Sequence, residues 1–429
     1  MTTSPRAVVV VTGSELVRGG RRDANGPFLA TELSRRGLDP ARIEIVGDRE
    51  EELRDVLTAG LEADLCLVSG GLGPTHDDRT VAMLGEVTGR ALAVDPALEH
   101  EIERVSRAVA ERLKRPYADF AAGVSKQASV PDGAVSLGLA GTAPALLLEH
   151  DGGVVVLLPG PPGELRRLWV NALAHPAVEA VLARAAPREH RVLRFFGPSE
   201  SAVASAIDEI GGEAEGLEIT VCARDLEIHV DVFHEESVGA RVETLRTRLA
   251  EAFPEELFAV DDDRPVEELV LESLRHQGLR LATAESCTGG LVGAHLTEVP
   301  GSSRAYLGGV IAYSDEVKRS ELGVPAETLL EHGAVSADAA AAMATGARER
   351  FGVDVAIAVT GIAGPDGGTA ERPVGLVHLH AEAPAGDASL RVVLPGDREA
   401  VRARATALAL HMLRRLLAQP ATHPRESDG

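Results

Sequence analysis

Between Ala7 and about Val170, short apolar runs alternate with helix-patterned segments, and this alternation most limits the folds open to the chain. AVVVVT is followed by a helical Gly26–Arg36, RIEIVGD by a helical Glu50–Ala59, and DLCLVSG by a glycine loop leading into a helical Arg79–Val87. Strand and helix alternating at this spacing give a doubly wound parallel sheet, so the fold class reads as α/β. Ligands of such sheets sit beyond the carboxyl ends of strands. Two ends stand out. One carries Thr12, Gly13, Ser14 and Glu15; the other runs from Ser69 to Asp78 and holds Gly70, Gly71, Gly73, Thr75, Asp77 and Asp78. Glycines there let a backbone approach a phosphate. Asp77 and Asp78 either satisfy free N–H groups at the next helix or hold a hard divalent cation.

A chain of 429 residues is long enough for two or three separate cores. The net charge of −23 repels phosphate backbones and argues against general nucleic-acid binding. Cys66, Cys222 and Cys287 are far apart, with no spacing that suggests a disulfide framework or a zinc site. The early apolar run Ala7–Val11 is too short to span a membrane and reads as a strand. A cytoplasmic protein without a membrane partner is expected.

The segment after about Asn171 changes character. RVLRFFG is strand-like, SESAVASAIDEI helical, and LEITVCARDLEIHVDVF reads as two strands around a turn at 224–225. That order gives a small α+β module, followed by a linker at Asp261–Asp263 and Pro265. A second α/β region follows: a helical Val266–Gln277, the stretch LRLATAESCTGGL, the strand LGGVIAYS, a helix from Asp315, a helical Ser336–Arg350 with Ser336 as N-cap, the strand VDVAIAV running into TGIAGPDGGT, two further strands, and a closing helix Asp397–Ala418. The tail from Pro420 reads as disordered.

In LRLATAESCTGGL an apolar strand ends in Ser286, Cys287, Thr288, Gly289 and Gly290. A hydroxyl at such a turn is either a helix N-cap or a nucleophile beside outward-pointing N–H groups. A serine nucleophile needs a base, and no His or Asp stands at a comparable strand end in this region. Of 43 basic residues only Lys114, Lys126 and Lys318 are lysine. Lysine, unlike arginine, can lose its proton near neutrality when buried without a carboxylate. Lys318 is therefore the candidate base. Tyr313 is placed to relay the proton or hold the lysine, the N–H groups around Thr288 to Gly290 to stabilise an oxyanion, and Arg398 with the Thr360–Gly364 turn to bind a phosphate. Each has a plain alternative: a core-edge aromatic for Tyr313, a solvated helix charge for Lys318, a first-turn surface residue for Arg398.

Longer motifs carry family resemblances. GGLGPTHDDRT and TGSELVRG, with Asp23 and Asn25, resemble the molybdopterin-binding domain of the MoaB/MogA type, assigned to residues 1–170. One departure is Gly138-Leu139-Ala140-Gly141-Thr142-Ala143-Pro144-Ala145, where such domains usually read Asn-Pro-x-Gly-Thr-Ala-Pro-Gly. An amide side chain and a glycine of the expected site are missing, which counts against activity there. Residues 171–260 resemble a KH-like middle domain but lack a Gly-x-x-Gly clamp and a basic face. A structural or dimer-forming role is expected of them. ESCTGG, PGSSRAYLGGVIAYSDEVK, EHGAVS, VTGIAGPDGGTAERPVG and PGDREAVR, within 261–420, resemble the CinA C-terminal domain, and the order of the three parts is similar to full-length CinA.

The resemblance implies a nicotinamide-nucleotide amidase that converts NMN and water to nicotinate mononucleotide and ammonia, with no cofactor. It implies Ser286 as nucleophile, Lys318 as base, Tyr313 assisting, and Thr360, Gly361 and Arg398 lining the substrate site. For the N-terminal domain it implies a nucleotide-pyrophosphate site, with ADP-ribose hydrolysis and a divalent cation at Asp77 and Asp78. A homodimer is expected. The rival readings are a protein whose main activity is metal-dependent pyrophosphate cleavage and a non-enzymatic protein of DNA uptake or recombination.

Overall fold

The structure is a computed structural model and describes residues 5–185, 188–224 and 226–419. Asp225, at the expected turn, and the tail from Pro420 lie outside the described residues. The chain divides into two compact units. The first runs to His190 and takes in Phe233–Gly239, and the second holds the rest.

The first unit is built on a six-stranded sheet. In chain order its region contains β1 Ala7–Thr12, β2 Pro40–Val46, β3 Leu65–Ser69, β4 Leu92–Val94, β5 Ser129–Pro131, β6 Val135–Leu139, β7 Pro144–His150 and β8 Gly153–Leu158. The sheet order is β2-β1-β3-β8-β7-β6, while β4 and β5 pair separately. The first three pairings are parallel and the last two antiparallel. Apolar runs fill both sides: Val8, Val10, Cys66 and Val68 enter one core, and Ala7, Val9, Leu65 and Leu67 the other. Val178 and Val181 also belong to the second of these cores, so the unit continues past Val170.

The second unit contains one whole sheet and most of a smaller one. β9 Glu189–Phe196, β10 Leu217–Arg224, β11 Glu227–His234 and β12 Leu257–Val260 form the small sheet, ordered β10-β11-β9-β12. The larger sheet comprises β13 Leu281–Glu285, β14 Tyr306–Ile311, β15 Val355–Gly361, β16 Leu376–Ala383 and β17 Gly386–Val393, ordered β14-β13-β15-β16-β17. β13 lies parallel to both β14 and β15, and β16 and β17 continue antiparallel. One face carries small residues, Ala282, Ala284, Ala356 and Ala358, against Met343, Ala344 and Ala347 of the helix Ala337–Phe351. Alanines on both partners allow a close approach of helix to sheet, and Gly346 of that helix lets the Leu322 carbonyl of the helix Asp315–Leu322 come near, where a Cβ would clash. The helix starts as expected, with Ser336 Oγ accepting from Ala339 N at 3.1 Å. The opposite face is larger: Val355, Ile357 and Val359 pack with Val401, Ala405 and Leu410 of the helix Arg398–Leu417. Two parallel strands, β13 and β15, thus end side by side at the sheet centre.

Candidate active site

β13 ends at Glu285, and Ser286 N donates to Val359 O of β15 at 2.8 Å, which fixes the serine beside the neighbouring strand end. The N-cap of the helix Leu291–Glu298 is Gly290, without a side-chain cap, so Ser286 is not a capping residue. Glu285 takes that role. Its buried carboxylate accepts from Gly290 N at 2.9 Å, Val292 N at 3.1 Å and Gly293 N at 2.9 Å. These are orphan donors of the helix start, and an anion there is favoured by the helix dipole. Glu285 thereby folds the 286–290 turn back on its own strand. The sequence reading missed it, although the one visible signal was present: a single carboxylate closing the apolar run LATAE immediately before Ser-Cys-Thr-Gly-Gly.

Lys318 lies on the helix Asp315–Leu322, capped by Ser314 Oγ, which accepts from Val317 N at 3.2 Å. Only 2% of the lysine is exposed. Its Nζ stands 3.3 Å from Ser286 Oγ and donates to Ala312 O at 2.9 Å. Among the described residues no carboxylate comes within ion-pair distance of it. Burial pushes its pKa down, and Asp315 opposes the shift without cancelling it. Once deprotonated, the amine would have a lone pair for Ser286 while staying beside Ala312 O. Cys287, beside the serine, is driven the other way: burial raises its thiol to about 11.

A cavity of about 160 Å³ opens over this pair, lined by Ser286, Cys287, Tyr313, Asp315, Lys318, Ala334, Val335, Thr360, Gly361, Ala363 and Arg398. Thr360 is buried, and its Oγ1 donates to Ala334 O at 2.7 Å, tying the end of β15 to the loop before Ser336. A Cβ on Gly361 would meet Leu376 O at 2.7 Å and Cys287 Sγ at 3.1 Å. Ser286, Lys318, Thr360, Gly361 and Arg398 are therefore gathered at one site, as the strand-end argument expects.

Two expectations need correction. Tyr313 lines the cavity but makes no hydrogen bond to Lys318 among the described residues: it is 61% exposed, and its hydroxyl accepts from Arg398 Nη2 at 2.9 Å. Gly289 and Gly290 offer no oxyanion donors and Thr288 does not line the cavity. Gly289 N donates to Ser286 O at 3.1 Å and Gly290 N to Glu285. At this turn, among the described residues, only the N–H groups of Cys287 and Thr288 donate to neither a backbone carbonyl nor Glu285.

The first unit holds a larger cavity of about 600 Å³ at the carboxyl ends of β1 and β3. Gly70, Gly71, Gly73, Asp77 and Asp78 line it, together with Glu15, Asp23, Asn25 and Asp48; Thr75 does not. Thr75 works behind the lining. Its hydroxyl donates to both Asp77 and Asp78, and its N–H donates to Asp78 Oδ2 at 2.8 Å. That hydroxyl holds the Asp77 carboxyl below its ordinary range. Asn25 donates to Ser69 Oγ at 2.9 Å and Gly160 O at 2.7 Å, while its Oδ1 and the Thr12 hydroxyl are buried without partners among the described residues. Such orphaned groups fit a polar ligand; no three carboxylates of this cavity come close enough together to hold one ion. The departures at 138–145 fall elsewhere. Gly138 and Ala145 are cross-strand partners on β6 and β7, outside the lining, and of that segment only Thr142 and Ala143 reach the cavity.

Comparison with known proteins agrees with both regions. Residues 263–417 match the model of the CinA C-terminal domain, and residues 8–180 match that of a probable molybdopterin binding domain. A CinA-like protein of Mycolicibacterium gilvum is 43% identical over 423 residues, covering 96% of this chain and 99% of the relative. One from Mycolicibacterium paratuberculosis is 41% identical over 437 residues, covering 97% and 99%. Among solved structures, the competence/damage inducible protein CihA from Agrobacterium tumefaciens is 44% identical, covering 35% of this chain and 94% of that one, with a TM-score of 0.34. Relatives matched over nearly their whole length, in both of the regions that hold the two cavities, place the chain in the CinA family.

Proposed function

We propose that the second-unit site is a serine amidohydrolase whose substrate is NMN, yielding nicotinate mononucleotide and ammonia. The observation that carries this reading is the buried Lys318 Nζ at 3.3 Å from Ser286 Oγ with a carbonyl, not a carboxylate, as its other partner. Ser286 Oγ bonds to the carboxamide carbon while its proton passes to Lys318. The adduct expels ammonia when Lys318 returns that proton to the nitrogen. Water then adds to the acyl-serine, giving a proton through Lys318 back to Ser286 Oγ as the carboxylate leaves. Cys287, which lines the cavity, has the N–H left for the oxyanion. The small cavity takes the ring and amide, and Arg398 at its rim meets the phosphate.

A second activity in the same chain, cleavage of ADP-ribose, is favoured by the larger cavity, whose lining the 138–145 departures leave untouched. Asp77 and Asp78 would hold the cation, which would neutralise the pyrophosphate; Thr75 fixes both carboxylates in place. One preparation assayed for ammonia from NMN and AMP from ADP-ribose separates the readings. Ammonia release supports the amidase. AMP alone leaves the pyrophosphatase, and neither product leaves a non-enzymatic protein.

A further inference from the structure

Away from both cavities, the second unit brings an imidazole and two carboxylates together on neighbouring helices. His295 and Glu298 stand three residues apart at the end of the helix Leu291–Glu298, a spacing that sets both on one helix face. Glu267 comes from the first turn of the helix Val266–Gln277. One ligand atom from each lies within 4.8 Å of the other two, and His295 Nδ1 is 3.6 Å from Glu267 Oε1. No other group of three such side chains is this close among the described residues.

Glu267 supplies a separate argument. The residue is 9% exposed, yet its carboxylate accepts no hydrogen bond among the described residues, and its one ion-pair partner is the imidazole of the same cluster. The Glu267 oxygens are not sealed from solvent, so a cation can reach them. Glu298 adds a second negative charge at the C-terminal end of its helix, where the dipole already disfavours one. Two carboxylates and one imidazole make a charge that a divalent cation balances.

We infer that Glu267, His295 and Glu298 form a surface metal site for a borderline divalent cation of the Zn²⁺ class, with water completing its coordination. The donor set decides the class. Imidazole with carboxylates suits Zn²⁺, whereas Mg²⁺ and Ca²⁺ prefer all-oxygen shells. Zn–N and Zn–O bonds of about 2.1 Å place tetrahedral ligand atoms roughly 3.4 Å apart, so binding requires the exposed Glu298 to swing inward. The metal would clip the helix that follows the Ser286 turn to the helix that opens this region. The inference does not depend on the chemistry assigned to Ser286.

The test uses the full chain stripped of metal, titrated with Zn²⁺ and separately with Mg²⁺ by calorimetry, with melting followed in parallel. Variants His295→Ala, Glu267→Gln and, to set aside the first-unit cavity, Asp77→Asn/Asp78→Asn are titrated alongside. The expected result is one Zn²⁺ per chain that raises Tm, lost at least tenfold in affinity in His295→Ala and Glu267→Gln and retained in the aspartate double variant. Mg²⁺ should not compete. Zn²⁺ binding unchanged in His295→Ala, with that variant melting as the parent does when metal-free, would overturn the inference. So would the absence of any Zn²⁺ binding to the parent chain.

Discussion

Arg398 Nη2 donates to the Tyr313 hydroxyl at 2.9 Å while Nη1 of the same guanidinium donates to Gly364 O at 2.8 Å. The pair forms a rim over the Ser286 cavity, joining residues 85 positions apart. On this geometry Tyr313 is expected to act by positioning Arg398.

Tyr313→Phe should consequently raise KM for NMN by about tenfold, the loss expected from one hydrogen bond to a charged group, with kcat within a few-fold of the parent. Steady-state kinetics of ammonia release give the split. A kcat loss of several hundredfold at unchanged KM would restore the tyrosine to proton transfer.

The nucleophile is expected to be Ser286 and not its neighbour. Burial leaves Cys287 as a thiol with its pKa raised to about 11, so Cys287→Ala should keep most of the activity and Ser286→Ala should have none. Thiol alkylation at neutral pH should spare the enzyme; inactivation by it would reverse the assignment.

Glu285→Ala should lower stability by about 2 kcal/mol or more, because three N–H groups at the helix start lose their acceptor. Denaturant melts measure that. Glu285→Gln keeps an acceptor oxygen and should recover part of the stability and of kcat. Equal melting of parent and Glu285→Ala would show that the turn holds itself.

Lys318→Met should stabilise the protein while removing activity. The buried ammonium is disfavoured in the folded state, so its pKa lies below 10.5 folded and near 10.5 unfolded. Between those values the unfolded chain binds more protons, and parental stability rises with pH. The gain in Tm from Lys318→Met should be largest at the lower end of that window and vanish towards pH 10.5. A gain that grew with pH would contradict a depressed lysine.

Much of the site was legible in sequence because it depends on strand ends. Ser286, Lys318, Thr360, Gly361 and Arg398 were read from apolar runs stopping at small polar residues or from helix starts, and a central parallel pair gathers such ends by topology. Side-chain direction was not legible. Tyr313 follows β14 as expected, yet its partner is set by the placement of a helix 85 residues further on. The N–H groups of Gly289 and Gly290 looked free because Glu285, one residue before the turn, reads as an ordinary strand end. In the first unit the departures at 138–145 were visible but not their location, since the fold is needed to show that Gly138 and Ala145 pair on β6 and β7 outside the cavity lining.

The most direct measurement is kcat for NMN deamidation in Lys318→Arg, with the pH profile of the parent beside it. A guanidinium stays protonated at any workable pH and cannot accept the Ser286 proton. The account predicts that Lys318→Arg is nearly as inactive as Lys318→Ala, and that parental activity rises with pH through a single ionisation. Lys318→Arg retaining most of the parental kcat would contradict the serine–lysine mechanism.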